Sequence, residues 1–116
     1  MAFEHLCSRD DVAPGTMAQF VTTDGTRVLV VAAPGDGELK AYQAMCPHAR
    51  VELVAGSLDG DILTCREHWW QFDIRTGQGT NPTGCHLAAY PLVCAGDAVL
   101  VDVAGIEPAQ AGRSDS

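Results

Sequence analysis

The sequence predicts an all-β fold, because turn signals recur along the chain and short β-type runs lie between them. The turn signals are Asp-Gly or Gly-Asp pairs at 24–25, 36–37, 59–60 and 96–97. A length of 116 residues favours one compact domain. We assign that domain to residues 1–106 and predict that residues 107–116, which lack hydrophobic periodicity, form a mobile C-terminal tail.

The first predicted unit is a hairpin. Polar and apolar residues alternate from Met17 to Thr22, and Asp24-Gly25 then leads into the run from Thr26 to Ala33. The centre of that run, Val28–Val31, is continuously apolar, which is typical of a strand buried on both faces.

Further strands are predicted along the chain. Residues 38–45, 61–64 and 98–103 have β-type composition. In the first and the last of these segments, side chains alternate between two faces as they do in half-buried strands. The one helical signal is Ser8 with Asp11 three residues later, which resembles a capping box. Pro14 limits that helix to about one turn.

Charge and composition exclude several function classes. The net charge is −8 with a single lysine, Lys40, so nucleic acid and anionic membranes are not expected partners. The longest apolar run, Val28–Ala33, is far shorter than the ~18 residues of a membrane span. The N-terminal segment has no basic or apolar targeting pattern, so we expect a cytoplasmic protein. In that reducing compartment, five cysteines favour metal ligation or buried thiols over a disulfide framework.

Two short motifs carry the candidate chemistry. Cys46-Pro47-His48 and Cys65-Arg66-Glu67-His68 are separated by the sixteen residues 49–64, and each follows a predicted strand. Each motif supplies one thiol and one imidazole, so the loops at two strand ends are predicted to meet around a metal centre. The predicted ligands are Cys46, His48, Cys65 and His68, and no catalytic residue is predicted.

Two metal centres match this ligand set. Tetrahedral zinc accepts two Cys and two His, but zinc fingers usually take a Cys pair from one knuckle and a His pair from a helix. Here each loop mixes the two ligand types and no helix is predicted, which favours a Rieske-type 2Fe-2S cluster with two thiolates on one iron and two imidazoles on the other. A zinc-stabilised interaction module remains the less favoured alternative.

Neutral imidazoles in place of two thiolates make an added electron easier to accept, and Rieske centres lie at about −150 to +300 mV. The electron is expected on the iron held by histidine, with His48 and His68 as its exit towards a partner. Hydroxyl donors to the cluster sulfurs are few in these loops, which gives little stabilisation to the charge of the reduced cluster. The sequence therefore predicts the low end of the range.

The other reactive side chains are given no role. Cys7, Cys85 and Cys94 lack a His at ligand spacing and are interpreted as packing or surface thiols, and His5 and His86 as ordinary polar residues. Trp69 and Trp70 are predicted by strand alternation to point one inward and one outward, with Trp70 supporting the cluster.

The motifs resemble those of the Rieske proteins, whose signature is Cys-x-His, a linker of roughly fifteen to seventeen residues, and Cys-x-x-His. Beyond the signature, the chain is similar to the Rieske ferredoxins of toluene monooxygenases from Phe3 to about Ile106. The segments that carry this similarity are 41–48, 64–66, Asn81-Pro82 and Tyr90-Pro91.

The resemblance implies stacked antiparallel sheets with a small cluster-binding subdomain at about residues 43–82, and a third loop at Asn81-Pro82 that covers the cluster. It implies a monomeric electron carrier rather than an enzyme. Such a carrier takes single electrons from an NADH-dependent flavoprotein reductase to a diiron hydroxylase of aromatic hydrocarbons. The alternative is the ferredoxin of an aromatic ring-hydroxylating dioxygenase.

A salt-sensitive docking surface is also predicted from four acidic residues near the loops, Glu52, Asp59, Asp61 and Glu67.

Overall fold

The chain is almost entirely β-structure in the computed structural model, which describes residues 3–47, 51–67, 69–81 and 85–109. The strands within these ranges are β1 Glu4–Ser8, β2 Met17–Val21, β3 Arg27–Ala32, β4 Leu39–Gln43, β5 Ser57–Asp59, β6 Ile62–Thr64, β7 Gln71–Asp73, β8 Gly79–Asn81, β9 Ala89–Tyr90, β10 Leu92–Ala95 and β11 Ala98–Val101. Helical structure in the same ranges is confined to two 3₁₀ turns, Arg9–Asp11 and Leu53–Ala55. No helix in this part of the chain is long and apolar enough to cross a bilayer.

The strands form three antiparallel sheets. Their orders are β1-β11-β10, β2-β3-β4-β9 and β5-β6-β7-β8. The predicted hairpin is the β2-β3 pair, with Met17 opposite Val31 and Val21 opposite Arg27. The all-β prediction is therefore confirmed, and every strand pair is antiparallel in the described residues.

Strand β3 places the second sheet between the other two. Leu29 and Val31 face one hydrophobic core, while Val28, Val30 and Ala32 face another. All five side chains are fully buried, as the continuous apolar run predicts. Core A, which faces the third sheet, contains Leu29, Val31, Tyr42, Cys46, Leu53, Leu63, Cys65, Phe72, Ile74 and Leu87. Core B, which faces the first sheet, contains Val12, Val28, Val30, Ala32, Ala41, Tyr90 and Val101.

The third sheet is a small meander held by its inward-facing apolar residues. Leu63 on β6 lies opposite Phe72 on β7, and both are fully buried in core A. Complete burial of side chains of this size is worth about 2–3 kcal/mol each. This packing fixes the hairpin that carries the second sequence motif.

The short elements were only partly predicted. Ser8 precedes the first 3₁₀ turn, and its backbone N–H donates to the Asp11 carboxylate at 2.9 Å, which confirms the capping signal. The alternating burial of β11 confirms a half-buried strand, with Val99 and Val101 inward. The 3₁₀ turn Leu53–Ala55 was not predicted, because its short apolar sequence has no cap signal.

The segment after β11 makes an ordered contact with the second sheet. Ala109 exchanges two hydrogen bonds with the side chain of Gln43, at the end of β4. Residues 110–116 of the predicted tail lie outside the described residues.

Candidate metal centre

The first motif lies in a loop closed at its base. We define the first cysteine loop as residues 46–51, and it begins where the Cys46 backbone N–H donates to the Val51 carbonyl at 2.9 Å. Below that bond, Met45 forms an antiparallel bridge with Glu52. Cys46 is 4% exposed, and its predicted partner His48 lies outside the described residues.

The second motif lies in a loop of the same design. We define the second cysteine loop as residues 65–70, which join β6 to β7. The Cys65 N–H donates to the Trp70 carbonyl at 2.7 Å, directly above the Thr64–Gln71 strand pair. Cys65 is fully buried, and its predicted partner His68 lies outside the described residues.

The two loops are matched in geometry. In each, the cysteine N–H donates to the carbonyl five residues further on, so the cysteine stands at the base of its loop. Both cysteines belong to core A, and the side chains of the closing residues, Val51 and Trp70, pack against that core. One cysteine from each motif thus lies in the same hydrophobic core.

A close backbone contact ties the return segment of the first cysteine loop to the second. Gly56 ends the 3₁₀ turn Leu53–Ala55, and a Cβ placed on it would lie 2.1 Å from the carbonyl oxygen of Thr64. Thr64 is the residue before Cys65. Only glycine allows this approach, and its role was not predicted because the constraint comes from a segment distant in sequence.

A third segment, between β8 and His86, is closed by backbone contacts in the same way. Gly79 N–H donates to the Cys85 carbonyl at 2.8 Å, and Gln78 forms a bridge with His86, so the segment between them is closed like the cysteine loops. Pro82, predicted to cover the cluster, lies outside the described residues. Cys85 packs against core A.

The cysteines outside the two motifs have the character of packing or surface thiols. All five cysteines lie in the described part of the chain and none forms a disulfide. Burial raises the pKa of Cys7 to about 11, with smaller contributions from Asp11 and Cys94, and burial also raises the pKa of Cys85. Cys94 is exposed on β10. Both shifts favour the protonated, unreactive thiol, in keeping with a packing role for Cys7 and Cys85.

The predicted acidic docking residues are partly engaged within the chain. Glu52 accepts a hydrogen bond from an Arg27 guanidinium nitrogen at 3.1 Å, and Asp61 lies 3.2 Å from Arg75 Nε. Asp59 is exposed and Glu67 is half-buried. The two paired carboxylates contribute less net charge to a docking surface than the sequence implies.

The two tryptophans point in opposite directions, as predicted, but strand alternation is not the reason. Both precede β7, and Trp69 lies in the left-handed region with φ +60°, the one non-glycine residue with positive φ in the described part of the chain. This backbone turns Trp69 outward, where it is 72% exposed, while Trp70 packs against core A. The prediction that Trp70 supports the centre agrees with this packing.

The left-handed backbone at Trp69 leads to a stability prediction. Trp69→Gly and Trp69→Ala both remove the exposed indole, but only glycine relieves the cost of positive φ, about 1 kcal/mol. We expect the glycine variant to be the more stable of the two by about that amount, measured by urea denaturation. Equal stabilities would show that this backbone carries no strain.

The described residues fit a cluster that takes two thiolates from opposite loops. Cys46 and Cys65 are buried in one apolar core at the bases of matched loops, so a bound centre would be shielded from water on its sulfur side. No group of three or more His, Cys, Asp or Glu is positioned to hold a metal ion among these residues. The remaining predicted ligands, His48 and His68, lie outside the described residues.

Comparison with known proteins agrees with this site. The model of the Rieske [2Fe-2S] domain matches residues 3–91. The ferredoxin component of the alkene monooxygenase system of Xanthobacter autotrophicus is 38% identical over 104 residues, which cover 89% of this chain and 80% of that protein. The ferredoxin component of biphenyl 2,3-dioxygenase from Rhodococcus jostii is 38% identical over 106 residues, covering 90% and 96%.

Solved structures agree as well. A ferredoxin of Sphingomonas yanoikuyae superposes with a TM-score of 0.77 at 26% identity, covering 87% of this chain and 98% of the other. The ferredoxin of carbazole 1,9a-dioxygenase from Nocardioides aromaticivorans gives 0.74 at 31% identity, covering 87% and 97%. The chain therefore belongs to the Rieske [2Fe-2S] domain family, and it is a ferredoxin that carries electrons through a Rieske 2Fe-2S cluster rather than a catalytic component.

Proposed function

We propose that Cys46 and Cys65 hold one iron of the cluster and that His48 and His68 hold the other. The observation that carries this proposal is the pair of matched loops, each with a buried cysteine at its base, while the sequence motifs supply a histidine two or three residues after each cysteine. When bound, such a cluster supplies a one-electron couple whose potential depends on its ligands and surroundings.

The residues of the chain divide the surroundings of this centre into two sides. Core A excludes water around the two thiols, which keeps the sulfur side in a low-dielectric interior. In the second cysteine loop, Arg66 and Trp69 are exposed, so this loop presents side chains to solvent. An electron carrier needs this asymmetry, because a partner protein must approach the centre closely on one side.

We assign the centre to a subdomain of about residues 43–82 within one domain of residues 1–106. The third sheet, β5 to β8, supports this division because it carries the second cysteine loop and packs on core A. We propose that the protein is a monomer. Its proposed location is the cytoplasm, the compartment in which an exposed thiol such as Cys94 stays reduced.

The proposed partners are an NADH-dependent flavoprotein reductase, which donates electrons, and a diiron hydroxylase of aromatic hydrocarbons, which receives them. The similarity to the ferredoxin component of an alkene monooxygenase system supports a monooxygenase as the terminal enzyme. Equal identity to a biphenyl 2,3-dioxygenase ferredoxin supports the second candidate, the ferredoxin of a ring-hydroxylating dioxygenase.

Electron paramagnetic resonance of the dithionite-reduced protein, with iron and sulfide analysis, tests the ligand assignment. We expect an average g value below that of all-cysteine clusters, and loss of this signal in His48→Ala and His68→Ala. His86→Ala is the matched control, because His86 is exposed and lies outside both motifs. A wild-type signal in either ligand variant, or zinc in place of iron, would overturn the assignment.

A reconstitution experiment tests the choice of terminal enzyme. The purified protein is mixed with a flavoprotein reductase, NADH and either a diiron hydroxylase or a ring-hydroxylating dioxygenase, and oxygenated product is measured. We expect turnover with the hydroxylase. Turnover with the dioxygenase alone would replace the first candidate by the second.

A further inference from the structure

The side chain of Gln43 connects segments that are distant in sequence. Gln43 is 1% exposed and is the last residue of β4, three residues before Cys46. An amide group offers two N–H donors and accepts at its oxygen through two lone pairs. In this structure all four capacities are used, by three different parts of the chain.

The donors of Gln43 reach Met45, the residue before the first cysteine loop, and the C-terminal segment. Nε2 donates to the Met45 carbonyl at 2.7 Å and to the Ala109 carbonyl at 3.0 Å. The acceptor Oε1 receives the N–H groups of Ala88 and Ala109, both at 2.8 Å. The amide therefore holds Ala109 by both its backbone polar groups, as a neighbouring strand would.

The bond to Met45 matters because of the peptide group it fixes. The carbonyl of Met45 and the N–H of Cys46 belong to one planar peptide unit. Gln43 holds the oxygen of that unit, and the Val51 carbonyl holds its N–H at 2.9 Å. The unit is thus held at both ends, and it sets the direction in which Cys46 leaves the backbone.

We propose that Gln43 is a positioning residue for the Cys46 thiol and that the C-terminal segment around Ala109 completes its support. This inference rests on the proposed role of Cys46 as an iron ligand. If Ala109 is removed, one donor and one acceptor of a buried amide lose their partners, which is costly in a site without water. The amide then reorients, and its hold on Met45 weakens.

Two truncated chains test the contribution of the C-terminal segment. A chain ending at Ile106 lacks Ala109, whereas a chain ending at Gln110 keeps its backbone groups and serves as the matched control. In the loaded protein we expect the shorter chain to lose iron about tenfold faster and to show shifted g values after reduction. The control should match the full chain. Identical g values and iron loss in the two truncations would overturn the inference.

Point variants separate positioning from folding. Ala109→Pro removes the backbone N–H that donates to Gln43 Oε1, because proline has no backbone donor. Ala109→Ser keeps that N–H and serves as its control. Gln43→Glu keeps the acceptors but loses both donors, so it should shift the g values even where the protein folds as the wild type does. Unchanged spectra in Gln43→Glu and Ala109→Pro would contradict the proposal.

Hydrogen exchange gives a readout that does not require the cluster. The Ala88 amide should exchange about tenfold faster in Gln43→Leu and in the chain ending at Ile106, with or without iron. Faster exchange in a protein that lacks a mixed-ligand signal would refute the ligand assignment but keep the connection through Gln43. Unchanged exchange would refute the connection itself.

Discussion

A Cys65→Ala variant is expected to lose its iron and acid-labile sulfide and to be purified colourless. Cys65 is fully buried at the base of the second cysteine loop, so a lost thiolate cannot be replaced there by water without opening core A. Cys46→Ala should have the same effect, because the two thiols are proposed to share one iron. Iron and sulfide analysis with visible absorption measures the loss.

Cys85→Ala and Cys94→Ala are the controls for this prediction. Cys85 packs against the same core as the proposed ligands, so Cys85→Ala controls for the loss of a thiol at core A. Cys94 is exposed on β10, so Cys94→Ala controls for the loss of a thiol at the surface. Both variants should keep the absorption and iron content of the wild type. A coloured Cys65→Ala protein, or a colourless Cys85→Ala protein, would show that the thiolate ligands have been misassigned.

Loss of the cluster in Cys65→Ala should also reduce the free energy of unfolding of the protein. A ligand that binds only the folded state stabilises it by a free energy that grows with the logarithm of its affinity, and metal binding in small domains is coupled to folding. In Cys65→Ala the urea midpoint should therefore fall to that of the iron-free wild type or below it. A midpoint equal to that of the loaded wild type would show that cluster binding does not stabilise the folded protein.

The sequence predicted the features that depend on local pattern. The β2-β3 hairpin followed from alternation and an Asp-Gly turn, and the double burial of β3 from the run Val28–Val31. The capping signal of Ser8 and Asp11 likewise predicted the short 3₁₀ turn Arg9–Asp11. These predictions succeed because each depends on residues close together in the chain.

The features that were not predicted depend on contacts distant in sequence. Gln43 and Ala109 are hydrogen-bonded across the fold, and neither position carries a local signal. Glu52 was predicted to be a docking residue. Its ion pair with Arg27 was not predicted, because Arg27 lies on another strand. The outward turn of Trp69 comes from a left-handed backbone that propensity does not predict for tryptophan.

Gly56→Ala should destabilise the loaded protein by about 2–3 kcal/mol, because the added methyl group has no space. Its Cβ would lie 2.1 Å from the Thr64 oxygen and 3.2 Å from the Leu53 oxygen, and both are backbone atoms that cannot rotate away. Relief requires the 3₁₀ turn and β6 to separate. Because Thr64 precedes Cys65, that separation moves the two thiols apart, and iron should be lost faster than in the wild type.

Gly60→Ala separates steric from conformational effects. Gly60 lies in the turn between β5 and β6 with φ +60°, and a methyl group added there would meet nothing within 4 Å, so alanine costs only the left-handed backbone, about 1 kcal/mol. Gly56 has no positive φ, so its cost is steric alone. Urea denaturation should therefore give a larger loss for Gly56→Ala, and only that variant should release iron faster. If the Gly60 variant is equally destabilised and equally prone to iron loss, the close approach at Gly56 does not hold the cysteine loops together.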